Sequence, residues 1–489
     1  MDLLTIFSAS LHADPNVRLS AELKLRKLEG AEGLIPALLQ LVSPSDNPSV
    51  VRLAAAIYLK NRITSSWRIS AAHAETQAPF TAIPPSDRQS IKTNILPLLA
   101  AVAADGETGI QQQIEATLAK VIECDFPNDW PTLIDEIVLL LDSGNEGQVE
   151  AGLRATCEIE RGFRCVVSHE AVPRRADASR PRRYIKRDPD SSCQTAIIAH
   201  VFPRMLALAQ SIISVSPATA AAFLTQGALL HLITKCFKHS ISLTLSELQQ
   251  ESIVAWGSLF IQIAERNLPL DLLPADVETR ESHRWVKAQK WSLFSLHRIF
   301  SRFGNPSQLP SNFKIPYGPF AERFIGFVPA IMRSFMGIVE RNVGGEWLAS
   351  KCKRHILAFF EEWSVDSSLS CYARSTLMRR NASIKPKTTW ILLKPHVQDL
   401  VAQFVFPLIC MTPDEIEQFD DDPPEFARSH FGGQSRKSNL RFRVLTCRRF
   451  RRGSSVQSLL ECACVRAFSC RRKEGIDFDA DAQLYSGSR

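Results

Sequence analysis

Four cysteines near the C-terminal end of this 489-residue chain, Cys447, Cys462, Cys464 and Cys470, have the right side chains to hold a metal. Their spacing, C-x14-C-x-C-x5-C, lacks the paired C-x2-C knuckles with which short turns present four thiolates tetrahedrally, so no zinc site is expected. The eleven histidines are scattered; His231 and His239 stand eight apart with LITKCFK between them, which suits core or surface positions better than ligation. No G-x-x-x-x-G-K-[ST], G-x-S-x-G or H-E-x-x-H occurs, which leaves phosphate cradling, serine nucleophiles and zincin chemistry without a foothold. The expectation is a protein that binds rather than catalyses, with no enzyme activity, cofactor or metal.

The polar residues best placed for recognition follow an apolar helix. SVVRLAAAIYLKNRITSSW (49–67) sets Val50, Leu53, Ala54 and Ile57 at i, i+3, i+4 and i+7, flanked by Leu59 and Ile63. That stripe, Ala54 and Ile57 included, is expected to pack against neighbouring helices, because a helix of this length is marginal alone in water. Ala54, Ala55 and Ala56 allow close approach, and Tyr58, Lys60, Asn61 and Arg62 form a polar cluster beyond them. Trp130, Trp285 and Trp291 are aromatic anchors by type, with packing between adjacent helices the favoured role.

Charge is unevenly distributed. Residues 161–187 carry nine basic side chains against two acidic, and residues 436–473 twelve against one. Together they hold +18 of a chain whose net charge is +7, so the remainder is −11. An acidic bulk attracts basic partners and repels nucleic acid, although a solvated acidic surface gives the same number. The arginine runs at 173–187 and 448–452 have the composition of localisation or nucleic-acid patches, but direct nucleic-acid binding is not expected. The longest apolar run is about ILPLLAAVAA, short of a bilayer span, so no membrane insertion is expected. MDLLTIFSAS has neither the basic start nor the cleavage pattern of a secretory signal. The twelve cysteines, Cys124, Cys236 and Cys410 among them, sit in apolar segments as buried thiols, which fits a cytosolic or nuclear compartment.

A phrase recurs along the chain: LIPALL, ILPLLA, VFPRML, FVPAIM and VFPLIC, with prolines at 36, 97, 203, 329 and 407. The last two intervals, 126 and 78, approach three and two units of about 40 residues, the period of helical-hairpin repeats of the HEAT and armadillo kind. Prolines within such helices would bend them at equivalent places. Asp14 is expected to cap a helix that begins at Pro15, carries Leu19, Leu23 and Leu28 along its stripe and stops at Gly30. Helices are expected at about 2–11, 33–42, 48–66, 87–103 and 107–123, with FPNDWP opening a fourth hairpin and essentially no sheet.

The residues VRLAAAIYLKNRITSSW, IPPSDRQSIKTNIL and DFPNDWPTLIDEIVLLL resemble the N-terminal domain of importin-β-type nuclear transport receptors (karyopherins). RWVKAQKWSLFSLHRIFSRFGNPS and TWILLKPHVQDLVAQFVFPLICMTPDEIEQFDDDPPEFARSHF resemble the importin seven and importin eight subgroup. The likeness covers about 1–160, 195–360 and 386–431; the basic segments at 161–195 and after 431, and residues 365–385, depart from it. It implies an all-α HEAT-repeat (armadillo-like) right-handed superhelical solenoid of about half the family's length. The implied divisions are N-terminal repeats at 1–125, the start of a fourth at 126–160, a basic insert at 161–195, a HEAT array at 196–431 and a basic tail at 432–489. The implied function is import: protein cargo bound in the cytoplasm, carried through the nuclear pore and released by Ran-GTP, with the receptor shuttling between nucleus and cytoplasm. The implied partners are Ran-GTP, basic protein cargo and nucleoporins bearing phenylalanine-glycine repeats. On this analogy Arg52, Tyr58 and Asn61, with Gln112 and Glu115, reach Ran from inner helices. The alternatives are that these are merely solvated helix positions, that the chain is a Ran-independent HEAT scaffold, or that it is a degenerate gene product.

Overall fold

The computed structural model describes residues 2–67, 81–163, 191–306, 309 and 312–360. Residues 365–385, Pro407, Cys410, the Cys447 to Cys470 set, both arginine runs and the resemblance at 386–431 lie outside them. The chain divides into one compact unit at Met1–Ser295 and a second at Leu296–Arg489.

All regular elements among the described residues are helical. In the first unit α1 (Leu3–Ser10), α2 (Pro15–Leu28), α3 (Leu34–Val42), α4 (Ser49–Ser66), α5 (Pro85–Asp105), α6 (Thr108–Asp125), α7 (Leu133–Leu141) and α8 (Glu146–Phe163) form four successive hairpins. They are followed by α9 (Ser191–His200), α10 (Phe202–Ser214), α11 (Ala220–Ser240), α12 (Glu247–Glu265), the short α13 (Val277–Ser282) and α14 (Arg284–Ile299), inside which the division between units falls. The second unit continues with a π turn at Phe300–Gly304, α15 (Lys314–Phe324), α16 (Val328–Val343) and a helix at 350–360. Its core is aromatic: Phe303, Tyr317, Phe320, Phe324, Phe335 and Phe359 are buried.

Local sequence explains the boundaries. Asp14 accepts the Asn16 N–H ahead of Pro15, and Ser246 and Gln249 form a reciprocal capping box on α12. The expected bends at prolines are corrected by their positions. Pro36 is the third residue of α3, and Pro203 and Pro329 are the second residues of α10 and α16. The first-turn N–H groups have no intrahelical acceptor, so proline costs nothing there, and the recurring phrase marks helix starts. Of the prolines in that phrase that are described, only Pro97 lies beyond the first turn of a helix.

Two apolar stripes also sit elsewhere than expected. On α2 Ala21 and Leu25 are buried, whereas Leu19 and Leu23 are exposed. On α4 the buried face is Val51, Arg52, Ala55, Ala56, Leu59, Arg62, Ile63 and Ser66. Val50 and Ile57 are exposed and Ala54 half-buried. Its two buried arginines mark a contact face that a hydrophobic stripe misses.

Two stretches, Cys193–Ser214 and Ala220–Ser240, are long and apolar enough by composition to cross a bilayer, contrary to the expectation for apolar runs. The second, α11, spends its apolar residues on packing: Leu230, Ile233 and Phe237 are fully buried. Trp130 and Trp285 are packing residues, 3% and 0% exposed, and Trp291 is half-buried. Cys236 is buried beside Cys157 and Cys124 is half-buried.

Candidate binding surface

The second helices of successive hairpins line up side by side. Leu53 on α4 faces Gly109 on α6, and Trp67 just past α4 reaches Asp125 at the end of α6. Those two helices therefore run parallel. The same register continues where Gln111 meets Glu150 and Glu115 meets Arg154, placing α8 parallel to α6. Cys157 against Cys236 adds α11, and Trp285 against Phe223 with Arg284 near His231 adds α14. The result is one layer of inner helices within the first unit, α4, α6, α8, α11 and α14, of which α4, α6 and α8 run parallel.

The five residues singled out by sequence lie on this layer but differ in what they do. Arg52 is 3% exposed, pairs with Asp105 at 2.7 Å and donates through Nε to the Val42 carbonyl at 3.2 Å. It thereby ties the start of α4 to the ends of α3 and α5. Tyr58 is half-buried, with its hydroxyl 3.5 Å from the Leu25 carbonyl and its ring edge-on to Phe7. Burial pushes its hydroxyl up to about 12. Asn61 and Gln112 are exposed. Glu115 is half-buried and bonded to Arg154, which also holds Glu150. Arg62, from the same cluster, is buried and donates to the Glu29 carbonyl at 2.7 Å. Sequence places the five residues on helices of this layer but does not show which polar residues face solvent, because buried arginines that bind carbonyls look the same in sequence as surface ones.

Sequence reasoning also missed two grooves between the first helices of hairpins, on either side of Pro97. One, about 560 Å³, is lined by Lys92, Leu96, Trp130, Glu136 and Leu139 among others, and Leu139 is 71% exposed. The other, about 490 Å³, lies between Pro36, Leu39, Ser90, Asn94 and Leu98. The FPNDWP stretch, which supplies Trp130 to the first groove, was the available signal. Among the described residues no cluster of His, Cys, Asp or Glu is arranged to hold a metal.

Comparison with known proteins gives one domain match, the importin-beta N-terminal domain, over residues 21–101, from within α2 to within α5. The chain is 24% identical over 436 residues to nonsense-mediated mRNA decay protein 5 of Saccharomyces cerevisiae, covering 87% of this chain and 37% of that protein. It is 26% identical over 432 residues to importin-8 of Danio rerio, covering 86% and 36%. It is also 32% identical over 163 residues to exportin-2 of Drosophila melanogaster, covering 33% and 16%. The chain thus spans little more than a third of the length of the relatives it matches most extensively. The solved exportin Cse1, in its cargo-free, cytoplasmic state, superposes with a TM-score of 0.67 at 16% identity, over 97% of this chain and 44% of Cse1. At that identity the likeness concerns the fold, an all-α HEAT-repeat solenoid.

Proposed function

We propose that this chain, which is similar to importin-8 and related receptors over most of its length, acts as a nuclear transport receptor, a binding protein and not an enzyme. It takes up protein cargo in the cytoplasm, passes the nuclear pore and releases the cargo when Ran-GTP occupies the inner helices of its N-terminal hairpins. The observation that carries this reading is the importin-beta N-terminal domain match at residues 21–101, which includes α4, the helix that runs parallel to α6. In physical terms the release is linkage: two ligands that favour different arrangements of one stack lower each other's affinity reciprocally.

On this layer Asn61 and Gln112 are the exposed candidates for Ran contact, with Glu115 beside them and Arg52 and Tyr58 holding α4 in place. The grooves beside Pro97 suit single phenylalanine side chains of nucleoporin repeats, since each offers an apolar floor in a polar rim and permits weak, rapid contact. Basic cargo is favoured by the acidic remainder of the chain, which raises its on-rate in a salt-dependent way. The receptor then shuttles between cytoplasm and nucleus.

The test is the affinity of the purified chain for Ran loaded with GTP against Ran loaded with GDP, at one salt concentration. The expected preference is roughly a hundredfold, about 2.7 kcal/mol. Equal or absent binding by a folded chain overturns the Ran switch and leaves a Ran-independent scaffold. Cargo bound more tightly with Ran-GTP than without it reverses the direction to export.

A further inference from the structure

The contact between α8 and α11 brings two thiols together. Cys157 and Cys236 are free, 2% and 0% exposed, and their sulfurs lie 2.6 Å apart. The arrangement is reciprocal. Cys236 Sγ lies 3.3 Å from the Leu153 carbonyl, one turn before Cys157, and Cys157 Sγ lies 3.6 Å from the Leu232 carbonyl, one turn before Cys236. Both side chains therefore point into one gap between the helices, which is the condition for joining two cysteines without moving backbone.

At rest the pair is quiet, because the thiolate is the reactive form and burial pushes the Cys236 thiol well up. Cys157 is nearer an opening. Helix α8 ends at Phe163, less than two turns beyond it, and the last turn carries the exposed Arg161 and Gly162. Glycine is a poor helix former, and Glu160 in the same turn is buried with neither carboxylate oxygen hydrogen-bonded, so this turn is costly to keep closed. Its local opening admits a small uncharged oxidant to Cys157 first.

We propose that Cys157 and Cys236 are a redox-active pair, which hydrogen peroxide oxidises to a disulfide that fastens α8 to α11. The Cys157 sulfur attacks the peroxide: an S–O bond forms, the O–O bond breaks, and the departing hydroxide leaves as water with the Cys157 proton. Cys236 Sγ then attacks the sulfenic sulfur. The S–S bond forms, the S–O bond breaks, and the second hydroxide leaves as water with the Cys236 proton. The pair loses two electrons and two protons, and the peroxide is reduced to two waters. A second sulfur already in contact traps the sulfenic acid before a further peroxide reaches it. The bond closes a covalent loop over residues 158–235, in which the basic stretch at 161–187 lies. Dithiol reductants reverse it by exchange, as befits a disulfide in a reducing compartment. The pair concerns the chain's own helices and does not depend on the transport reading.

The experiment treats the reduced full chain with hydrogen peroxide, raised until cysteines begin to oxidise, blocks the remaining thiols with N-ethylmaleimide in denaturant, and maps non-reduced peptides by mass spectrometry. The expected product joins the Cys157 and Cys236 peptides, is two hydrogens lighter than their sum, and disappears with dithiothreitol. It is expected to form at least about tenfold faster than any other pairing among the twelve cysteines. The cross-linked chain is expected to melt at a higher temperature than the reduced one, and Cys157→Ala and Cys236→Ala to show no such rise after the same treatment. Recovery of both cysteines as maleimide adducts while others are oxidised overturns the proposal. So does finding either of them chiefly as sulfinic acid or linked to a different cysteine. A cross-linked chain that melts no higher than the reduced one overturns the fastening of α8 to α11. The mapping uses the wild-type chain, so it decides the pairing whether or not the alanine variants fold.

Discussion

The indole N–H of Trp67 donates to Asp125 Oδ1 over 2.8 Å, joining the region just after α4 to the last residue of α6, 58 positions later. The other oxygen of Asp125 pairs with Lys92 Nζ of α5 at 2.7 Å, and both partners are largely buried. One carboxylate thus holds three helices of adjacent hairpins in register, two of them within or overlapping the residues matched to the importin-beta N-terminal domain. Removing it leaves a largely buried ammonium with the uncharged Asp129 carbonyl, 2.7 Å away, in place of its counter-ion, which costs about 3–5 kcal/mol. Asp125→Ala is therefore expected to lower the first urea transition by that amount. Trp67→Phe, which removes one hydrogen bond to a charged acceptor, is expected to lower it by about 1.5–3 kcal/mol. A two-variant denaturation series checks the ranking.

A second carboxylate acts in the same way at a helix start. Asp87, 1% exposed in the first turn of α5, accepts the N–H groups of Gly33 at 2.9 Å and Ile35 at 3.1 Å, and so caps α3 from another hairpin. Gly33 itself sits at φ +85°, where a side chain is strained. Asp87→Ala leaves orphaned N–H groups in a buried position and is expected to cost about 1–3 kcal/mol. Hydrogen exchange of the Ile35 amide is the direct readout, with protection lost in the variant.

These two residues show where sequence reading succeeds and fails. Helices α1 to α6 are legible because their signals are local: Asp14 with Pro15, alanine-rich faces, prolines in first turns. Asp87 and Asp125 are not legible, because each serves a partner more than 50 residues away and nothing near either residue announces it. The α4 face is misread for a related reason. Arg52 and Arg62 are polar in sequence, yet each satisfies a carbonyl of an earlier helix or of the residue after it, so they occupy the face a hydrophobic count assigns to solvent. Of the candidate site, the helices were visible in sequence and the accessibility of individual residues was not.

Packing between α11 and α14 has little slack. A Cβ at Gly227 would lie 2.5 Å from Trp285 Cδ1, and Trp285 cannot retreat without leaving the Phe223 carbonyl and the Phe223 ring stacked 5.3 Å away. Gly227→Ala is expected to destabilise by about 1–3 kcal/mol through overpacking. Trp285 fluorescence distinguishes displacement of the ring, seen as a shifted emission maximum, from a simple loss of stability. Restoring room with Trp285→Phe in the Gly227→Ala background is expected to recover part of the loss, a coupling that a double-mutant cycle measures.

Two buried groups at the α8 to α11 contact give stability opposite dependences on pH. Glu160 is fully buried, neither carboxylate oxygen has a hydrogen-bond partner among the described residues, and burial pushes it up to about 8. Its folded form holds a proton that the unfolded chain loses near pH 4.3, so its contribution is fully present below that pH and falls as pH rises towards 8. His231 runs the other way. Burial and the surrounding cations keep it neutral in the fold, so stability falls as pH drops below the unfolded value near 6.5. Glu160→Gln keeps the shape without the charge and is expected to flatten the decline between pH 5 and 8, raising the melting temperature most at pH 8. His231→Gln should reduce the acid-side slope, which His297 and His283, also kept neutral by burial, share, and leave the alkaline one. Melting temperatures of the three proteins from pH 4 to 9 separate the two groups. An unchanged alkaline slope in Glu160→Gln would mean that the carboxylate acquires a cation in solution, and with it a contact that offsets its burial.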